Sequence, residues 1–116
     1  MNETNAPLTP PNMGSLYLNS HALEWESTEL EGFWVKKLYE NPDNGEKTWL
    51  MKMDPGTYCG PHTHDEFEQI YVLQGSMEDH NGTIKAGEFV CRAPGDSHTA
   101  TTSDGALVLL FFSRYR

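Results

Sequence analysis

The chain has 116 residues, 17 of them acidic and 8 basic, which gives a formal net charge of −9 at pH 7. This length is enough for one hydrophobic core, and the negative field makes nucleic acid and anionic membrane surfaces poor partners. The longest apolar run, ALVLLFF, is too short to cross a bilayer, and no signal peptide is recognisable, so we expect a cytoplasmic protein with free thiols rather than a disulfide between Cys59 and Cys91.

Residues 1–20 form the first predicted segment. They include three prolines and four asparagines with almost no charge, a composition typical of an irregular arm. Leu16, Tyr17 and Leu18 give this arm a small apolar patch that could pack against a partner subunit. We expect the folded domain to span residues 21–116.

From residue 32 onward the sequence is typical of an all-β protein. Short β-branched and aromatic runs alternate with clusters of Gly, Pro, Asn and Asp. GFWVKKLYE and EKTWLMKM, separated by the turn NPDNG, are predicted to pair as a hairpin. EQIYVLQGSMED, TIKAGEFVCRA and ALVLLFFSR continue the pattern, with a two-residue turn predicted at Asn81–Gly82. The pattern favours a sandwich or a barrel and does not choose between them.

The stretch GPHTHDEFEQIYVLQG carries the strongest functional signal. His62 and His64 are one residue apart, so in an extended segment both rings point to the same side. Glu68 opens an inward-facing row, where an ionised carboxylate needs a neutralising cation. His98 follows the turn PGDS and could point to the same place. Three imidazoles and one carboxylate indicate a site for one divalent transition metal ion, with Fe(II) or Zn(II) favoured over Mn, Ni or Cu.

The register entering this strand leaves one alternative open. If the strand slips, Glu66 replaces Glu68 as the carboxylate ligand. Glu68 itself can be a permanent ligand, or it can move away from the metal and act as a catalytic base.

The same residues resemble the two signatures of the cupin superfamily. Glycines and ligands from Gly56 to Gly75 match the first signature at every fixed position, and GEFVCRAPGDSH resembles the second. Ala93 stands where the second signature usually has proline, and Thr102 where asparagine is common. Neither position supplies a metal ligand, so these departures bear on loop details.

Within the cupins, residues 32–112 are most similar to the cupin domain of zinc-binding anti-sigma factors and to the acetylacetone-cleaving dioxygenase group. The resemblance implies a small single-domain jelly-roll barrel, or double-stranded β-helix, with a metal near its mouth. Anti-sigma factors of this type carry a helical sigma-binding domain before the cupin. Only about thirty residues precede the barrel here, so we do not expect that regulatory role.

Two functions remain open. The first is a mononuclear metal-dependent dioxygenase acting on a small dicarbonyl or phenolic substrate, and the second is a non-catalytic cupin that binds or senses a metal or small ligand. An isomerase or lyase is less favoured. We expect a homodimer, and we expect the substrate pocket to be lined by Trp49, Met51, Met53, Tyr58, Phe89 and Arg92.

Overall fold

The computed structural model describes residues 5–114, and its regular structure is almost entirely β. No helix among these residues is long and apolar enough to span a membrane. A 3₁₀ turn at Ser20–Ala22 precedes nine strands: β1 Glu26–Ser27, β2 Phe33–Asn41, β3 Glu46–Met53, β4 Tyr58–His62, β5 Phe67–Asp79, β6 Gly82–Lys85, β7 Phe89–Arg92, β8 His98–Thr101 and β9 Ala106–Ser113.

The strands form a curled antiparallel sheet with the order β1-β2-β3-β9-β5-β8-β4, and β6 and β7 also pair with β5. Strand β5 is 13 residues long and changes partners along its length. Its first part pairs with β9 and β7, and its last part pairs with β6 and β8. A register shift between Val72 and Gln74, followed by Gly75 at φ +74°, marks the change of direction. The predicted all-β jelly-roll architecture is confirmed.

The core lies inside the curl because alternate residues of the central strands point inward. In β9 the buried positions alternate with partly exposed ones, and in β5 Glu68, Ile70 and Val72 are buried while Gln69 and Tyr71 are exposed. Met77 and Ala100, from the last part of β5 and from β8, belong to the same cluster. The hydrophobic surface removed from water on this inner face is the main stabilising contribution to the fold.

The predicted hairpin of β2 and β3 is present, with Phe33 opposite Met53 and Asn41 opposite Glu46. The turn predicted at Asn81–Gly82 is displaced by one residue, because Asp79 pairs with Gly82 and leaves His80–Asn81 as the loop. The carboxylate of Asp79 accepts hydrogen bonds from the backbone N–H groups of Asn81 and Gly82, which stabilises this register.

The stretch TIKAGEFVCRA contains two strands, β6 and β7, rather than one. They are separated at Gly87, whose φ of +90° is a left-handed conformation that glycine adopts without strain. Both strands pair with β5, at different points along it.

The N-terminal segment lies along β2. Leu8 makes an isolated parallel bridge to Tyr39, and residues 6–19 otherwise form no strand or helix. Leu23 is buried, and the Lys36 ammonium donates to the carbonyl oxygen of Ser20 at 2.9 Å. The division between arm and domain at residue 20 stays a prediction.

The bend in β5 can be tested by replacing Gly75 with alanine. A Cβ there would collide with the carbonyl group of Gly105, and φ is positive. Gly87→Ala is the matched control, because its φ is also positive but the space around it is open. We expect Gly87→Ala to lower the free energy of unfolding by about 1–2 kcal/mol, and Gly75→Ala to lower it by about 1 kcal/mol or more beyond that because the backbone must move. Urea denaturation measures both, and equal losses would contradict the steric argument.

Candidate metal centre

Three histidines converge at one end of the curled sheet. His62 ends β4, His98 begins β8, and the two are cross-strand partners. His64 follows β4 by two residues, and its ring centroid is 5.0 Å from that of His62 and 5.5 Å from that of His98. One ring nitrogen from each of the three lies within 4.8 Å of the others. This spacing brings three nitrogen ligands to one point.

Hydrogen bonds to the backbone orient two of these rings. The Nδ1 of His62 is 2.9 Å from the carbonyl oxygen of Gly60, and the Nδ1 of His98 is 3.4 Å from that of Asp96. Because a carbonyl oxygen only accepts, these Nδ1 atoms carry the hydrogen, and each Nε2 keeps its lone pair. This is the tautomer that a histidine needs in order to bind a metal through Nε2.

Glu68 lies beside the histidines with 6 % of its surface exposed. Its Oε1 is 3.4 Å from the Nε2 of His98, and its Oε2 is 3.9 Å from the Nε2 of His64. Glu68 Oε1 and His64 Nε2 are both buried without a hydrogen-bond partner among the described residues. A divalent cation between them would satisfy both, so this donor set fits a metal ion.

The electrostatics favour the neutral form of His64 and His98. Burial lowers the pKa of His98 to about 4, and the neighbouring Arg92 guanidinium acts in the same direction. Burial also lowers the pKa of His64. For Glu68, burial raises the pKa, partly opposed by Arg92. Near pH 7, His64 and His98 are therefore in the unprotonated form that a metal requires.

A cavity of about 340 Å³ opens from the cluster. His62, His64, Glu68 and His98 lie at its polar end, and the rest of the wall is largely apolar, with Phe33, Val35, Trp49, Met51, Ile70, Leu110 and Phe112 among its residues. Among the described residues, no lysine or arginine lines this cavity. A ligand here would present one polar end to the histidines and a body without an anionic group to the wall, which also includes Thr28 and Glu29.

The six residues expected to line the pocket divide into two groups. Trp49 and Met51 line the cavity. The other four lie elsewhere. Met53 is 1 % exposed within the core, and Arg92 lies behind Glu68, with its Nε 3.5 Å from the Oε1 of that carboxylate.

Tyr58 and Phe89 point outward, with 63 % and 55 % of their surfaces exposed. The alternation of side chains along β4 and β7 explains this, because Cys59 faces the cavity beside Tyr58, and Val90, next to Phe89, packs against the core.

The sequence reasoning did not identify most of the other cavity residues, and Cys59 and Leu30 show why. Cys59 lines the wall, and its Sγ is 3.3 Å from the Nδ1 of His62. Its strand, β4, contains Gly60 and Pro61 and has no clear alternation of polar and apolar residues. The sequence therefore did not predict that Cys59 faces inward. Leu30 reaches the cavity from the turn before β2, where no periodicity exists. Glu66, the alternative ligand, instead pairs with Lys47 at 3.6 Å.

The lowered pKa of His98 predicts a pH dependence of stability in the chelator-treated protein. Folded His98 stays neutral down to about pH 4, whereas unfolded histidine takes up a proton near pH 6.5, at about its ordinary pKa. Between these values the unfolded state binds more protons, so stability falls as the pH falls through this window. Glu68, whose pKa is raised, contributes with the opposite sign.

We expect His98→Gln to make the free energy of unfolding depend less on pH. Glu68 is present in both proteins, so it contributes to both. Urea denaturation in EDTA at several pH values measures the slope. His21→Gln, the same change at an exposed histidine, should keep the slope of the unmodified protein. An identical slope for His98→Gln would contradict the assignment.

Comparison with known proteins identifies relatives of this fold. A family model described as the ChrR cupin-like domain matches residues 13–115. Comparison with curated proteins yields no match.

Several solved structures are similar. A putative acetylacetone dioxygenase from Methylibium petroleiphilum PM1 is 16 % identical with a TM-score of 0.79, over 90 % of this chain and 80 % of that one. An RmlC-like cupin from Ralstonia eutropha JMP134 is 19 % identical with a TM-score of 0.78, over 88 % and 70 %. A chain in the complex of Rhodobacter sphaeroides SigE with the anti-sigma ChrR is 20 % identical with a TM-score of 0.67, over 78 % and 49 %.

These likenesses confirm the cupin fold and the resemblance inferred from the two signatures. At these identities the solved structures bear on the fold alone, whereas the family match covers nearly the whole sequence. This chain, from residue 13 to residue 115, belongs to the ChrR cupin-like family.

Proposed function

We propose that this protein is a mononuclear metal-dependent dioxygenase that acts on a small dicarbonyl or phenolic compound. The observation that carries the proposal is the cluster of His62, His64 and His98, with the buried Glu68 beside it, in a largely apolar cavity. Four protein ligands leave open positions on a six-coordinate ion, where substrate can bind. A redox-active ion such as Fe(II) would supply the electron exchange with dioxygen that oxidative cleavage needs.

The chain's own residues have separate roles in this reaction. His62, His64 and His98 would hold the ion, with Nε2 of His62 and His98 kept free by the backbone hydrogen bonds on Nδ1. Glu68 would either complete the set of ligands or accept a proton from an enolisable substrate, since its raised pKa brings it closer to that task. The apolar wall, with Trp49 and Met51, would bind the substrate body and exclude water.

The cavity chemistry supports the substrate class. Its volume, about 340 Å³, is at the small end for ligand sites. A carboxylate or phosphate on the far part of the substrate would have no basic partner among the described lining residues. A neutral dicarbonyl or phenol with a short apolar substituent fits best.

A non-catalytic metal or ligand sensor is the second candidate. It is favoured by the similarity to a chain of the SigE–ChrR complex and by Glu68 as an available fourth ligand, which would leave fewer open positions on the ion. With Zn(II) in the site, exchange of electrons with dioxygen is not available.

Metal analysis and oxygen uptake test these functions together. Protein purified without chelator should carry about one transition metal ion per chain. His62→Ala and His98→Ala should each lower metal affinity about 10-fold or more, while His21→Ala should not. After anaerobic loading with Fe(II), the unmodified protein should consume oxygen with a panel of diketones and phenols. Stoichiometric zinc without oxygen uptake would favour the sensor, and unchanged metal content in both ligand variants would refute the site.

We further propose that the protein is a homodimer joined through the outer face of strands β3, β9, β5 and β7. Leu50, Leu109, Tyr71 and Phe89 lie opposite one another on four neighbouring strands, and all four are at least partly exposed. This row carries no acidic residue, although the chain has a net charge of −9. Two copies can therefore approach here without bringing like charges into direct contact, and aromatic side chains are favoured at such interfaces.

Light scattering after size exclusion tests the dimer. The unmodified protein should have twice the mass of one chain, and the double substitution Tyr71→Lys with Phe89→Lys should give a monomer, because it places charges in the apolar row. Tyr58→Lys, which changes an exposed tyrosine on β4, outside this row, should remain dimeric. A monomeric unmodified protein would contradict the proposal.

We place the protein in the cytoplasm because its two cysteines, Cys59 and Cys91, are free. Free thiols persist in a reducing compartment, whereas secreted proteins usually pair theirs. The expected partner in that compartment is a small molecule rather than nucleic acid or a membrane surface, as the net charge of −9 indicates.

A further inference from the structure

Arg92 is a buried cation immediately behind the candidate metal centre. It lies directly opposite Glu68 in the ladder between β7 and β5, and 4 % of its surface is exposed. Arginine is almost never this buried without a specific partner. The partners of Arg92 therefore indicate its role.

One end of the guanidinium is fixed by Asp79. The Nη1 of Arg92 is 2.9 Å from the Oδ2 of Asp79, whose side chain is 5 % exposed. The other carboxylate oxygen, Oδ1, accepts hydrogen bonds from the backbone N–H groups of Asn81 at 2.8 Å and Gly82 at 3.2 Å. Both oxygens of Asp79 are engaged, so the turn after β5 holds Arg92 in place.

The other end of the guanidinium faces the candidate metal centre. The Nε of Arg92 is 3.5 Å from the Oε1 of Glu68, and the same oxygen is 3.4 Å from the Nε2 of His98. Glu68 Oε1 and the Nε and Nη2 of Arg92 are buried without a hydrogen-bond partner among the described residues. The Oε1 of Glu68 thus lies between the anchored guanidinium of Arg92 and the imidazole of His98, and it is hydrogen-bonded to neither.

We propose that Arg92 is a positioning residue that competes with the metal for Glu68, and so decides how strongly this carboxylate binds the ion. This inference rests on the proposed metal site. A displacement of well under 1 Å toward Arg92 would form a charge-assisted hydrogen bond, which has a length of about 2.7–2.9 Å. A displacement the other way would bring the oxygen toward an ion held by the histidines. One oxygen cannot do both at full strength, so each interaction weakens the other.

The competition gives the Glu68 carboxylate two positions, each with a different effect on the ion. Held toward Arg92, it leaves one more position on the ion for substrate. Held toward the ion, it completes a four-ligand set. Arg92 therefore acts on the chemistry through Glu68, without touching the ion or lining the cavity.

Arg92→Lys separates this role from a structural one. Lysine keeps a buried positive charge for Asp79, but its ammonium is a single point and lacks the Nε that faces Glu68. The quantity to measure is the loss of Zn(II) affinity caused by Glu68→Gln, by competition with a chromophoric chelator, once in the unmodified protein and once in Arg92→Lys. We expect Glu68→Gln to weaken Zn(II) binding about 10-fold more in Arg92→Lys, because Glu68 binds the ion fully once Arg92 is gone.

A spectroscopic signature accompanies the affinities. The visible spectrum of the Co(II)-loaded protein reports the ligands of the ion, and Arg92→Lys should change it. With Glu68→Gln present, the Arg92→Lys substitution should leave the spectrum unchanged, since the shared oxygen is already lost. If Arg92→Lys does not fold, the double substitution Asp79→Asn with Arg92→Met replaces it in the measurement. This variant removes both partners of the ion pair. It should show the same enlarged effect of Glu68→Gln.

The outcomes are distinct. Equal losses on Glu68→Gln in both backgrounds, or a smaller loss in Arg92→Lys, overturn the competition while leaving the metal site standing. Absence of Zn(II) binding in the unmodified protein overturns the metal site and the inference together. Absence of oxygen uptake bears only on the dioxygenase proposal.

Discussion

Strand β5 is the constraint on which the rest of the structure depends. Of the described strands, it alone pairs both with β7 and β9 and with β6 and β8. Its first part places Glu68 on the inner face, and its end places Asp79 where it can hold Arg92. The bend at Gly75 turns the last part of the strand toward β8, which carries His98. A chain that failed to bend there would separate the carboxylate from the imidazoles.

The centre combines groups that would be costly to bury one at a time. A carboxylate, a guanidinium and a second carboxylate follow one another from Glu68 through Arg92 to Asp79, and the neutral imidazole of His98 lies in front of them. This arrangement has a formal charge of −1, so a bound divalent cation would bring the total to +1 rather than to +2. Burial of such a set is tolerable because each charge has an opposite neighbour.

Much of this architecture could be predicted from local pattern. The hairpin of β2 and β3, the inward row beginning at Glu68, and the convergence of His62, His64 and His98 follow from alternation and from fixed spacings. These signals are local or belong to a family signature, so a single sequence carries them.

Other features depended on contacts between distant residues. Arg92 was expected in the substrate pocket, but its position is decided by Asp79 and Glu68, which no spacing relates to it. The turn at His80–Asn81 was displaced because the Asp79 carboxylate caps it, and that contact outweighed the preference for Asn-Gly at its centre. Cys59 faces the cavity because β4 pairs with β8, a long-range pairing that its own sequence does not indicate.

The position of β4 has a consequence for local unfolding. β4 ends the strand order and, within residues 5–114, pairs only with β8, with a register shift between Cys59 and His62, so its opening free energy should be among the lowest in the sheet. His62 ends this strand and His64 follows it, whereas Glu68 and His98 belong to other strands. An ion bound by all four would cross-link the weakest edge of the sheet to its centre. Occupancy of the site would then slow hydrogen exchange in β4 and close one wall of the cavity, since ligands that bind only the closed form stabilise it.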